Sequence, residues 1–277
     1  MGEVERGREA RAGARLEGKI ARMARRALGN RWVLRLSALA LVLGAWELWM
    51  GGGHVDPTFA APPSRVIRSV PKVVTNPMFL ESLRNTLELF ALGFGISLVL
   101  GTALGLLLAR VPVLDAALSP FVNGLYAAPL PAIVPIITAI FGYFLVAKLI
   151  IVVLLAIFPI LINTYQGAKD ADRHLLEVAA AFRASEAQVW RDVVFPSAVP
   201  HLVAGIRLGV ARGLIGTVVA ETYASPGGLG YLILWYGFRF DMDAMLVVVL
   251  CFTFMALLFS GLVRALDRWV ARWKSAD

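Results

Sequence analysis

The 277-residue sequence is almost free of cysteine and poor in histidine. Its one cysteine, Cys251, cannot form a disulfide within the chain or assemble a Cys-based metal site. The three histidines, His54, His174 and His201, are scattered and lack the spacing of zinc ligands. No glycine-rich phosphate loop and no serine or cysteine nucleophile beside a base is present. The sequence therefore offers no enzyme site and no nucleotide site, and we expect no catalytic residue and no cofactor in this chain.

Charged residues are also scarce. They make up 17% of the chain, against 58% apolar residues and a mean hydropathy of +0.72, whereas soluble proteins have about 25% charged and about 45–50% apolar residues. The composition is that of a membrane protein. The net charge of +8 and the pI near 10.1 could indicate nucleic-acid binding. Membrane topology explains the same basic residues, so we expect the lipid bilayer and not nucleic acid as their partner.

Runs without charge predict six membrane-spanning helices, because a helix needs about 20 apolar residues to cross the hydrocarbon core. Four runs contain no charged residue: 89–109, 116–147, 149–168 and 244–263. A fifth run, 202–220, contains Arg207 and Arg212, and a weaker run lies at 32–50. We expect 32–50 to be an uncleaved anchor rather than a signal peptide, because its charged leader is long and no clear cleavage site follows.

The basic residues also predict the orientation of the chain. Residues 1–35 contain nine Arg and one Lys against four Glu, which favours a cytoplasmic N-terminus, and six spans return the C-terminus to the same side. Arg65, Arg68 and Lys72 fall in an extracellular loop and are a mild exception. We therefore divide the chain into a basic cytoplasmic tail (1–31), a six-span membrane domain (32–266) and a cytoplasmic C-terminal tail (267–277).

Small residues recur every four positions in two of the predicted spans, which places them along one face of each helix. They are Ser97, Gly101, Gly105 and Ala109 in the second span, and Gly205, Gly209 and Gly213 in the fifth. Such faces allow close helix packing within the subunit, which we favour, or form a dimer or moving interface.

Prolines and buried charges indicate a second kind of site. Three prolines within seven residues of the third run, and one in the fourth, predict kinked or interrupted helices, which are tolerated at membrane depth only beside protein or a cavity. Arg207 can extend to the cytoplasmic surface. It lies about 21 Å of helical rise from Glu221, so each charge needs a partner from another span or subunit, or an aqueous pathway. The candidate pathway or gate residues are Pro129, Pro131, Pro135, Pro159, Asn163, Arg212 and Glu221.

An amphipathic segment, residues 174–200, interrupts the apolar sequence between the fourth and fifth runs. Its apolar positions repeat at helical spacing and predict two short helices with a turn at "RAS". Ser185 with Gln188 has the pattern of a capping box at the start of the second helix, and we expect Pro196 and Pro200 to end the segment before the fifth span. From the physics alone, this segment either lies on the lipid surface or docks into a partner.

The same segment resembles the cytoplasmic loop of the permease subunits of binding-protein-dependent ABC importers. The loop has Glu-Ala-Ala, three residues, Gly, nine residues and Ile-x-Leu-Pro, and here the frame is filled by Glu177, Val178, Ala179, Arg183, Val193, Phe195 and Pro196. The spacing is kept, although Arg183 replaces the glycine. "APPSRV", "YAAPLPAIVPIITAIFG", "FPILINTYQG", "IRLGVARGLIGTVVAE" and "GGLGYLI" resemble the nitrate, sulfonate and taurine branch and extend the likeness over residues 60–270.

The resemblance implies an all-α, six-helix type I importer fold in the bacterial inner membrane. It implies a permease dimer, for which we expect a homodimer, two ATPase subunits that bind ATP and Mg, and an external solute-binding protein. Residues 169–199 would be a coupling loop that docks into the ATPase. The coupling residues so implied are Glu177, Val178, Ala179, Phe182, Arg183, Ala184, Ser185, Val193, Phe195 and Pro196.

Arg183 stands where the family's glycine takes a positive φ, a conformation that costs other residues about 1–2 kcal/mol. We predict that the turn is kept and that Arg183 faces the ATPase. The resemblance favours a small anion as solute, such as a sulfonate, taurine or nitrate. Two other hypotheses are a secondary transporter or channel that works without ATP, and a membrane anchor that recruits a cytoplasmic partner. The prolines of the third run and the charges of the fifth argue against an anchor.

Overall fold

The computed structural model describes residues 31–53, 56, 58–224 and 226–274. Within these ranges the protein is helical throughout, which confirms the predicted all-α class. The helices are α1 (Arg31–Gly51), α2 (Pro63–Val74), α3 (Pro77–Arg110), α4 (Pro112–Ala127), α5 (Val134–Phe141), α6 (Leu145–Lys169), α7 (Arg173–Ala181), α8 (Glu186–Val189), α9 (Phe195–Tyr223), α10 (Leu229–Phe238) and α11 (Met242–Lys274). Apart from Arg31, the predicted N-terminal tail lies outside the described residues.

Among the described residues, five helical segments are long and apolar enough to cross a membrane. A bent pair, α4 with the helical turns up to the end of α5, makes a sixth if it counts as one span. The two arms of that pair meet at 90°. The five segments are Trp32–Gly51, Pro77–Arg110, Leu145–Lys169, Glu186–Tyr223 and Met242–Arg268. The positions agree with the six runs predicted from the sequence.

The chain forms two compact units, Met1–Ile67 and Arg68–Asp277. In the described part of the first unit, α1 carries exposed apolar side chains along its length. Its Glu47 accepts hydrogen bonds from the backbone N–H of Ser64 at 3.0 Å and from the Ser64 hydroxyl at 2.6 Å. This carboxylate ties the end of α1 to the first turn of α2.

The core of the second unit is a layer of three helices, with α6 between α3 and α9. Ile160 of α6 is fully buried, and a Cβ added to Gly101 of α3 or to Gly209 of α9 would lie 3.1 Å or 2.8 Å from its side chain. At Gly105 of α3 an added Cβ would lie 2.6 Å from the backbone oxygen of Leu161. Both predicted small-residue faces therefore pack against α6 within the subunit, which is the reading that we favoured.

Two element boundaries differ from the prediction at charged residues. The second span begins at Pro77 instead of 89, because Asn76 caps the helix by accepting the Met78 N–H at 2.9 Å. Glu81, Arg84 and Glu88 lie on the exposed side of its first turns. The fourth span begins at Leu145 and contains Lys148. Both helices therefore begin before their uncharged runs, because a helix can include charged residues in its first turns.

The prediction that Pro196 and Pro200 end the amphipathic segment before the fifth span is wrong. Residues Glu186–Tyr223 form one helical segment of 38 residues. A π-helical turn at Trp190–Val194 joins α8 to α9, and there the Phe195 N–H donates to the Trp190 carbonyl. Pro196 then falls in the first turn of α9, where a missing N–H is tolerated. The loop thus continues directly into the membrane helix.

Candidate functional site

The proline cluster lies at the break between α4 and α5, which confirms the predicted interruption of the third run. Pro129 precedes a 3-10 turn, Leu130–Ile133, that contains Pro131, and Pro135 lies in the first turn of α5. All three prolines are exposed. Leu130 and Val134, in contrast, are buried in the core beside α6 and the end of α9. The break therefore has one face held by the bundle and one face that carries the prolines.

The fourth run is not interrupted, although it contains Pro159. Helix α6 is assigned as one element across this residue, which is fully buried. Asn163 donates from its side-chain nitrogen to the Pro159 carbonyl at 2.8 Å, the carbonyl one turn earlier. Its Cβ lies 3.0 Å from where Gly205 would carry a side chain. Pro159 and Asn163 thus belong to the contact between α6 and α9.

The two arginines of the fifth span have different surroundings. Arg207 forms an ion pair with Asp267 of α11, so its partner does come from another span. Arg212 is exposed, and its guanidinium lies 5.8 Å from the centre of the Tyr126 ring of α4. Among the described residues no carboxylate lies within ion-pair distance of Arg212, which leaves a cation available on the surface of α9.

Glu221 is the most buried charged side chain of the described residues, with 1% of its surface exposed. The Thr86 hydroxyl of α3 lies 2.8 Å from Oε1, and the Gly230 N–H donates to Oε2 at 2.8 Å. The Leu229 N–H donates to the Thr86 oxygen at 2.8 Å. We call these four residues the Glu221 junction. It fixes the start of α10 to the ends of α3 and α9, so Glu221 finds its partners on other segments of the same chain.

Two further features make the junction tight. A side chain at Gly228, whose φ is +92°, would overlap the Glu221 carboxylate, and one at Gly230 would lie 2.7 Å from the Val218 carbonyl. Lys148 of α6 interacts electrostatically with Glu221 and lies 3.5 Å from the Gly227 carbonyl. The carboxylate of Glu221 is therefore held in place by the segment 227–230.

At the other end of the bundle, the predicted pair of short helices is present. Asp172 caps α7 by accepting the His174 N–H at 2.8 Å. Ser185 caps α8, and Gln188 completes the capping box, as the sequence predicted. Between the helices Arg183 has a φ of +52°, and the Ala184 N–H closes the turn by donating to the Ala179 carbonyl at 2.9 Å. The prediction that Arg183 keeps the left-handed turn is confirmed.

One face of this loop packs on the bundle. Val194 and Ala198 are buried together with Ala168 and Ala171, at the end of α6. Arg110, the last residue of α3, forms an ion pair with Glu186 at 2.8 Å and lies 5.5 Å from the centre of the Trp190 ring. The loop is therefore seated against the ends of α3 and α6.

The opposite face of the loop is apolar and uncovered. Leu175 and Val178 are about half exposed, and Phe182 is 83% exposed. Their spacing of three and four residues places them on one side of α7. Glu177, Arg183, Ser185, Phe195 and Pro196 are exposed as well, whereas Ala179, Ala184 and Val193 are partly buried. An exposed apolar patch of this kind marks a surface that binds a protein or a membrane.

Comparison with known proteins identifies the fold and the family. Residues 101–272 match the family described as binding-protein-dependent transport system inner membrane component. This range is well over half of the chain. The protein belongs to this family. It is thus the permease component of a binding-protein-dependent ABC importer, a multi-pass inner-membrane transport protein rather than an enzyme.

Relatives in this family support the branch inferred from the sequence. The chain is 27% identical, over 88% of its length and 89% of the relative's, to the putative aliphatic sulfonates transport permease of Bacillus subtilis (strain 168). It is 27% identical, over 84% of its length and 85% of the relative's, to the nitrate import permease of Synechocystis sp. (strain ATCC 27184 / PCC 6803 / Kazusa).

A solved structure described as inward-facing conformations of the MetNI methionine ABC transporter gives a TM-score of 0.61 at 21% identity. It covers 70% of this permease and 96% of the matched chain. The likeness confirms the type I importer permease fold.

The hydrogen-bond partners of Glu221 and the contact between Arg110 and Glu186 were missed by sequence reasoning. Thr86 follows the charged start of α3 and looks like an ordinary helix residue, and its partner Glu221 is 135 residues away. Arg110 directly follows the uncharged run 89–109. Its position nine residues after Gly101 at the close of an apolar helix carries no sign of the contact with Glu186.

Proposed function

We propose that this permease forms the translocation pathway for a small anion, such as a sulfonate, taurine or nitrate, which an external binding protein delivers. We also propose that it is coupled to a separate ATPase subunit through residues 169–199. The membrane domain would comprise 32–266, with the tails 1–31 and 267–277 in the cytoplasm. The uncovered apolar face of α7 is the observation that carries the proposal.

The coupling residues are those of the loop turn and its exposed face. Glu177, Val178, Phe182 and Arg183 lie on or next to an uncovered surface, whereas the opposite face of the loop is packed on α3 and α6. Ser185 and Ala184 shape the turn, and Val193, Phe195 and Pro196 lie where the loop enters α9. A rigid loop with one free apolar face can transmit force from a partner to the spans.

Helix continuity gives the route for that force. The segment Glu186–Tyr223 has 38 residues, which corresponds to about 57 Å at 1.5 Å per residue. It begins in the loop and ends at the Glu221 junction. A displacement of the loop by the ATPase would therefore move the far end of this helical segment. Through the Glu221 junction, it would also move the start of α10.

The pathway itself would lie on the exposed face of the α4–α5 break. A broken helix at membrane depth requires protein or a water-filled cavity beside it, and Pro129, Pro131 and Pro135 are exposed. A second permease subunit, in a homodimer served by two ATPase subunits, would cover this face. The pathway would then depend on Pro159, Asn163 and Glu221 through helix packing. It would depend on Arg212 through a positive charge that has no carboxylate partner among the described residues.

An anionic solute agrees with two observations. The relatives named above are described as permeases for aliphatic sulfonates and for nitrate. Arg212 adds a cation without a carboxylate partner in the described part of the chain. Neither depends on the coupling loop, so solute class and coupling are separate parts of the proposal.

The coupling is tested by co-purification of the ATPase subunit with two matched variants. Phe182→Ala removes an aromatic side chain that is 83% exposed on the loop, and Phe238→Ala removes one that is 81% exposed at the opposite end of the bundle. We expect Phe182→Ala to lose ATPase binding at least tenfold and Phe238→Ala to keep it. Equal binding by both variants would contradict docking through this face.

A further inference from the structure

A cavity of about 420 Å³ opens at the end of the bundle that holds α10. Three segments contribute to its wall: the link between α5 and α6 with Tyr143, the end of α9 with Tyr223, and α10 with Tyr231, Trp235, Phe238 and Arg239. Its volume falls in the range of about 300–1,000 Å³ that is typical of sites for organic ligands. The lining combines five aromatic rings with one cation.

The polar groups of this cavity are available to a ligand. Arg239 lies over the Trp235 ring with its guanidinium carbon 4.6 Å from the ring centre. Among the described residues no carboxylate pairs with Arg239, and no hydrogen-bond partner is found for the hydroxyls of Tyr143, Tyr223 and Tyr231. A stacked guanidinium keeps its edge free for the oxygens of an anion.

Aromatic residues also occur at membrane surfaces as a belt that anchors the helices. A belt places single rings at the level of the headgroups, whereas here rings from three separate segments line one open depression. They lie beside an arginine that has no carboxylate partner among the described residues. The arrangement provides apolar contact on several sides and one positive charge. A site for an anion with an apolar organic group needs both features.

Two walls of the cavity belong to helices that connect it to the rest of the permease. Tyr223 is the last residue of α9, the helix that continues from the coupling loop. Helix α10, which forms another wall, begins at Leu229 and Gly230, and these two residues belong to the Glu221 junction. A change in the position of α9 therefore changes two of the three walls.

We propose that this cavity binds the transported solute and that it selects organic anions, sulfonates above all, over inorganic anions such as nitrate. The proposal rests on the function proposed above and narrows its solute class. The sulfonate oxygens would bind Arg239 and the tyrosine hydroxyls, and the organic group would lie against Trp235 and Phe238. Nitrate could use the cation but not the aromatic walls.

The test measures binding of radiolabelled benzenesulfonate to the permease–ATPase complex in nanodiscs, without the binding protein. We expect saturable binding that Arg239→Met weakens at least tenfold. Arg84→Met is the matched control. Arg84 is exposed near the start of α3, pairs with Glu88 on its own helix, and lies outside the cavity. The control should bind benzenesulfonate within twofold of the unmodified complex.

Competition with unlabelled compounds defines the ligand class. Unlabelled benzenesulfonate should displace the probe at least tenfold better than nitrate or the neutral benzenesulfonamide does. Unchanged binding by Arg239→Met, or equal displacement by nitrate, would overturn the proposal. Displacement by phosphatidylglycerol but not by phosphatidylcholine would also overturn it, because the cavity would then be a lipid-headgroup site.

A second readout separates this proposal from the function on which it rests. Stimulation of ATP hydrolysis by the solute-binding protein is measured on the same preparations, and the elution volume and melting temperature report folding. Normal stimulation with no benzenesulfonate binding would overturn the cavity proposal alone. A permease that binds benzenesulfonate through Arg239 but fails to associate with the ATPase would support the cavity and refute the coupling.

Discussion

The Glu221 junction allows a quantitative prediction from a pair of substitutions, Glu221→Leu and Glu221→Gln. Leucine removes the acceptor of the Gly230 N–H, which is buried and has no second acceptor among the bonds of the junction. The Thr86 hydroxyl is not stranded, because the Ser82 carbonyl lies 2.9 Å away and can accept its hydrogen. One buried donor is thus left unsatisfied, at a cost of about 1–3 kcal/mol.

Glutamine keeps the geometry of the junction. Its carbonyl oxygen can accept from Gly230, and its amide can donate to the Thr86 oxygen, which has a second lone pair beside the one that accepts from Leu229. We expect Glu221→Gln to cost less than about 1 kcal/mol, on the scale of a repaired hydrogen bond. The Leu variant should therefore be less stable than the Gln variant by up to about 3 kcal/mol, or up to about 150-fold in the folded-to-unfolded ratio.

The assay is reversible unfolding of the purified permease in mixed micelles, followed by the change in helicity with increasing denaturing detergent. Thr86→Val in combination with each variant reports whether the two side chains act on each other. A Leu variant as stable as the unmodified permease would refute the reasoning. So would a Gln variant as unstable as the Leu variant, since the charge opposite Lys148 would then hold the loop rather than the hydrogen bonds.

Three further predictions concern packing, the loop turn and its cap. Gly105→Ala should destabilise the permease by about 1–3 kcal/mol, since its Cβ would meet the backbone of α6, and the melting temperature of Gly95→Ala, where nothing lies within 4 Å, should not fall. Arg183→Gly should relieve about 1–2 kcal/mol of left-handed strain yet weaken ATPase co-purification, and unchanged affinity with unchanged coupling would argue against a contact role. Ser185→Ala should cost the loop about 1 kcal/mol, seen as faster hydrogen exchange at the Gln188 amide, and unaltered exchange there would mean that the capping box is dispensable.

The uncharged runs predicted the membrane helices well because the cost of burying a charge in lipid is large and local. Their ends were less predictable. The start of α3 at Pro77 depends on the Asn76 cap and on charges that lie on one side of the helix. A search for uncharged runs detects neither feature. The 10-residue helix α10 was too short to register as an element, although "GGLGYLI" contributed to the family likeness.

The prolines illustrate both the value and the limit of such reasoning. Three prolines close together correctly predicted the break between α4 and α5. The same logic failed at Pro196 and Pro200, because both lie within one continuous helical segment, Glu186–Tyr223. A π-helical turn at Trp190–Val194 leads directly into the helix that contains both prolines, and the spacing of apolar residues did not predict that turn.

In the candidate site, contacts between neighbouring residues were predicted, whereas contacts between distant residues were not. The capping box at Ser185 and the positive φ of Arg183 depend on neighbours within a few residues and were predicted. The partners of Glu221 and of Arg110 come from segments far away in the chain, so they appear only once the helices are packed. The sequence showed that a buried charge needed a partner but could not name Thr86.

Coupling of ATP hydrolysis to transport through the loop at residues 169–199 is tested most directly by solute uptake into proteoliposomes. These contain the permease and the ATPase, with the binding protein outside and ATP inside. We predict uptake that requires ATP and the binding protein together, and that falls at least tenfold in Phe182→Ala with the permease still folded. Uptake that persists without ATP, or that is unchanged in Phe182→Ala, would contradict the account.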